Sequence, residues 1–61
     1  MDKYLVISGV DEPAVVVGPF PERFNALRNF PLPAGYDTAQ SFYTREEAEE
    51  EAEWMRSGKV W

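Results

Sequence analysis

Apolar residues come in short continuous runs near the start of the chain, at 5–7 and 14–17, and recur every third or fourth residue near its end, at 48, 52 and 55. Residues 3–10 (KYLVISGV) are rich in β-branched and aromatic side chains and predict a first strand. With a period of two, Tyr4, Val6, Ser8 and Val10 share one face, and Leu5, Ile7 and Gly9 the other. Gly9 interrupts the pattern and predicts a bulge or a close backbone approach. Asp11-Glu12-Pro13 reads as a turn, because Asp bonds its own downstream backbone and Pro cannot donate to a ladder. Residues 14–17 (AVVV) then predict a second strand, and the short connection makes the pair an antiparallel hairpin. The unbroken valines imply that both faces of this strand are partly covered.

Gly18-Pro19-Phe20-Pro21 ends the strand, and Pro21 suits the first position of a helix, where its missing N–H costs nothing. The predicted helix covers 21–29. Phe20, Phe24 and Leu27 form its apolar edge, Glu22 sits near its positive end and Arg28 near its negative end. Such a short helix depends on packing. The same Gly-Pro-Phe-Pro run could be a proline-rich ligand for an aromatic groove, but its spacing suits a strand-to-helix corner. The proline-rich loop 30–36 (FPLPAGY) stops the helix and offers Tyr36 as a contact residue. Residues 38–43 predict a third strand, with Ala39, Ser41 and Tyr43 on one face and Gln40 and Phe42 on the other. An ordered loop is the alternative there.

The strongest pattern is the last. Thr44-Arg45-Glu46-Glu47 matches a capping box, helix formers fill 45–56, and Gly58 is placed for a left-handed stop. Ala48, Ala52 and Met55 make a narrow apolar stripe, and two alanines let the helix approach a sheet closely. Lys59-Val60-Trp61 either frays or adds a short edge strand. The order is β-β-α-β-α in one domain covering 1–61. The expected fold is α+β: a three-stranded antiparallel sheet of order 2-1-3, with both helices packed on one face and the other face partly open.

Composition narrows the chemistry. A chain of 61 residues buries only about 60% of its unfolded surface, so its core is marginal. It has no Cys and no His, which removes disulfides and makes a structural zinc site an unreasonable expectation. Four Phe, three Tyr and two Trp supply an aromatic core and argue against disorder. The longest apolar run, 14–17, is far short of the roughly 20 residues that span a bilayer, and no secretory leader is visible. The expected location is cytoplasmic. Eleven acids against six scattered bases give a net charge of −5, which disfavours direct binding to nucleic acid or an anionic membrane.

Catalysis is poorly supported. His and Cys are absent, and Ser8, Ser41 and Ser57 have no evident activating base. No cofactor, metal or catalytic residue is expected. The plain reading of Glu46, Glu49, Glu50 and Glu53 is a solvated helix face. The functional reading is an electrostatic contact for a partner protein with a basic or mixed surface. Trp54 falls off the apolar stripe, on the flank of Glu47 and Glu51, and is either a core-edge residue or a binding anchor. Trp61 poses the same choice. The expected function is therefore a small acidic, non-enzymatic protein-binding module, an inhibitor or accessory factor of bacterial or phage type. Its candidate contacts are Trp54, Trp61, Glu46, Glu49, Glu50, Glu53 and Tyr36. One alternative is a nucleic-acid mimic that blocks a DNA- or RNA-binding protein. The other is a structural homo-oligomer, since an exposed edge strand and a marginal core favour a homodimer.

Two phrases, VVVGPF (15–20) and FYTREEAEEEA (42–52), resemble the strand-then-helix segments of small bacterial α+β domains, including peptidoglycan-binding repeat domains of the septal type. The element order differs, because a hairpin comes first here. The resemblance implies a small α+β fold and carries no site residue over.

Overall fold

A computed structural model describes residues 2–58. Residues 59–61, including the expected contact residue Trp61 and the expected edge strand, lie outside the described residues. The elements are β1 (Lys3–Ser8), β2 (Val15–Phe20), α1 (Ala26–Asn29), β3 (Thr38–Phe42) and α2 (Arg45–Arg56). The sheet has order β2-β1-β3 and both pairings are antiparallel, as the sequence pattern predicts.

β1 is the centre of the molecule in two senses. It has a strand on each side, and Leu5, Val6 and Ile7 are all buried. Alternation sends Val6 to one face and Leu5 and Ile7 to the other. Val6 packs with Ala14, Ala48 and Ala52, bordered by Tyr4, Val16, Phe42 and Met55. Leu5 and Ile7 pack with Ala26, bordered by Val15, Val17, Phe20, Phe30, Tyr36 and Ala39. The two helices thus lie on opposite faces, and the expectation that both cover one face is corrected. The physical reason lies in β1 itself, whose Leu5 and Ile7 are too apolar to leave facing water. The segment after β2 closes that face, so no sheet face stays open.

The second strand runs farther than the pattern predicts. Pairing is in register from Ile7↔Val15 to Leu5↔Val17, then shifts by one before Lys3↔Phe20. Gly18 and Pro19 therefore form a bulge, which lets the strand continue past them. The helix expected over 21–29 shrinks to Ala26–Asn29. The Asn25 side chain accepts from the Arg28 N–H at 3.3 Å and starts the helix at Ala26. Residues 21–24 form a turn instead, with the Phe24 N–H donating to Pro21 O at 3.0 Å. Phe20 stacks near Phe24 and Phe30, with ring centroids 5.7 and 5.4 Å away. Phe24 and Leu27 are exposed rather than forming a buried edge.

Gly9 marks a close backbone approach, as its place in the strand pattern suggested. The turn closed by Tyr36 N–H and Pro33 O brings Gly35 against it. A Cβ at Gly9 would lie 1.9 Å from Gly35 O. The contact extends the β1–β3 pairing, because the Asp37 N–H donates to Ser8 O at 3.0 Å.

The capped helix forms as read. Thr44 Oγ1 accepts from the Glu47 N–H at 3.1 Å and donates to Glu47 Oε1 at 3.3 Å. Ala48 and Ala52 are fully buried, and Met55 borders them. Gly58 ends the helix with φ +76°.

Candidate functional site

Position around α2 follows from its rotation of about 100° per residue and one anchoring contact. Arg56 Nη1 donates to Ala14 O, just before β2, at 2.9 Å. The flank of α2 that carries Arg56 thus lies on the β2 side of the sheet. Arg45 and Glu49 share that flank and pair at 3.4 Å, which in so exposed a setting contributes little. The opposite flank carries Glu47, Glu51 and Trp54, while Glu50 points directly away from the sheet. Both arginines of the helix are on one side, and no base is on the other.

Glu46, Glu49, Glu50 and Glu53 are all exposed. Trp54 is 50% exposed, so it is neither sealed into the core nor free of the surface. It lines a shallow depression of about 230 Å³ with Glu50, Glu53 and Ser57. The Ser57 hydroxyl donates to Trp54 O at 2.8 Å and holds the last turn closed there. The structure therefore unites Trp54 with the acidic helix. It does not bring Tyr36 to them. Tyr36 is half-buried against the Leu5 and Ile7 cluster, on the sheet face opposite α2.

A second depression, open and of about 630 Å³, lies where the hairpin turn meets the end of α2. Ser8, Glu12, Met55 and Arg56 are among its lining residues. Val10, assigned to a strand by its pattern, stands 89% exposed in that turn. The sequence signal for this corner was Arg56, a base in the last helical turn that could reach a carbonyl.

Among the described residues, no group of three or more His, Cys, Asp or Glu side chains is placed to hold a metal ion. No polar or charged side chain among them is buried. None of their helices is long and apolar enough to cross a membrane. No family model, curated protein or solved structure matches the chain. The likeness to small bacterial domains stays one of two short phrases.

Proposed function

We propose that this chain is a small acidic protein-binding module that acts without catalysis, as an inhibitor or accessory factor of the kind compact bacterial and phage genomes encode. The observation that carries this reading is the half-exposed Trp54 set among exposed glutamates on one rigid helix. Trp is enriched at binding hot spots, and a ring of charge around an apolar anchor suits a partner with a basic or mixed surface. The acidic face raises the encounter rate with such a partner, and Trp54 holds it.

The test is capture on the immobilised protein at two salt concentrations, comparing the native chain with Trp54→Ala and with Glu49, Glu50 and Glu53 changed to Lys. A partner retained by the native chain is lost from both variants, and moderate salt weakens it. If the triple reversal abolishes capture while Trp54→Ala leaves it intact, contact is purely electrostatic and the nucleic-acid mimic becomes the better reading. If both variants retain the same proteins as the native chain, the module reading fails.

A further inference from the structure

We propose that the outer edge of β3 takes up an extended basic peptide of the partner as a fourth strand, alongside the Glu47, Glu51 and Trp54 flank of α2. This rests on the protein-binding reading above and specifies how the partner is held.

The sheet has two edges and they are unlike. The outer edge of β2 is interrupted by the bulge at Gly18 and Pro19, and Pro19 has no N–H to offer. Bulges, prolines and charges are the usual devices that keep an edge from pairing. β3 has none of them. Its sequence, TAQSF, is neutral and free of proline, and its pairing with β1 is regular from Phe42 to Thr38. Gln40 has the parity of Phe42, which packs on the α2 side, yet Gln40 stays exposed. The helix thus leaves the outer rim of β3 uncovered, with room for side chains of an added strand.

Charge selects the occupant. The α2 flank turned away from Arg45 and Arg56 carries Glu47 and Glu51 and no base, and the chain as a whole carries −5. A second copy paired here would bring two acidic flanks together. A strand with Lys or Arg at every second position would turn those residues toward the carboxylates, and the Trp54 ring can receive a cation on its face. The acidic stretch ends at Tyr43, where Lys3 Nζ lies 5.5 Å from the ring centroid. Backbone pairing supplies affinity and the alternating charge supplies selectivity.

The experiment is a titration of the isotope-labelled protein, followed by amide and indole resonances, with three short synthetic peptides. One alternates Lys with Val, one alternates Glu with Val, and one is the Lys peptide with alternate backbone nitrogens methylated. The Lys peptide should shift the Thr38–Phe42 amides and the Trp54 indole. The Glu and methylated peptides should bind at least about tenfold more weakly, and Glu51→Lys should weaken the Lys peptide by a similar factor. Equal binding of the methylated peptide overturns strand addition, as does a response confined to β2 or no binding of the Lys peptide. A dimer in sedimentation whose β3 amides are protected without peptide also overturns it, in favour of a second copy. If the Lys peptide fails while Trp54→Ala still abolishes capture of a partner, strand addition alone is wrong. If both fail, so does the protein-binding reading.

Discussion

Two glycines show how different the same substitution can be. At Gly9 an added Cβ meets the backbone oxygen of Gly35 at 1.9 Å, and backbone on both sides has little freedom to yield. Gly9→Ala is expected to cost about 3 kcal/mol, the upper end of ordinary overpacking. A single core of this size supplies only about 3–5 kcal/mol, so that variant should be largely unfolded in mild urea. At Gly58 nothing lies within 4 Å of the added Cβ, and only the φ of +76° is at stake. Gly58→Ala should cost about 1 kcal/mol, the strain of a left-handed residue with a side chain. Urea denaturation of the two variants, followed by far-ultraviolet circular dichroism, checks both values. Equal losses would mean that the Gly9–Gly35 approach relaxes freely.

At the level of elements, α2 begins where its cap dictates. Thr44→Ala removes the acceptor of the Glu47 N–H and should destabilise the protein by about 1 kcal/mol, whereas Thr44→Ser should stay close to the native midpoint. Thermal melts of the pair test this, and equal melting temperatures would assign the helix start to packing alone. This helix was legible in the sequence because every local signal agreed: the cap, the alanine stripe, the glutamates and Gly58. The hairpin and the 2-1-3 order were legible for a similar reason, through strand periodicity and short connections. α1 was not. Pro21 is a sound helix starter, but Phe20 is held in β2 and Asn25 offers a cap four residues later, so a longer-range pairing overrode the local preference. The layering was also misread. One face was expected to be partly open, whereas Val6 on one face and Leu5 and Ile7 on the other are all buried, which follows from their apolarity once both faces are counted. Of the candidate contacts, the flank position of Trp54 and the exposure of the glutamates followed from rotation about one helix axis. The separation of Tyr36 from them did not, because it depends on which face the 30–36 loop covers.

For the molecule as a whole, one strand joins everything. β1 is hydrogen-bonded on both edges and packed on both faces, so its amides should open only with global unfolding. α1 is four residues long and buries only Ala26, so its amides should exchange fastest among the elements. Native-state hydrogen exchange measures the difference directly, and protection of α1 equal to that of β1 would contradict it. The double coverage of β1 also sets a timetable. On the ribosome β1 is made first, and the segments that cover its Leu5 and Ile7 face follow within the middle of the chain. The cover for Val6 is α2, which is synthesised after all three strands. In order along the chain, the sheet and one of its layers are thus complete before the other layer begins. The earliest strand is the last to be shielded, and closure of the domain waits for its acidic helix.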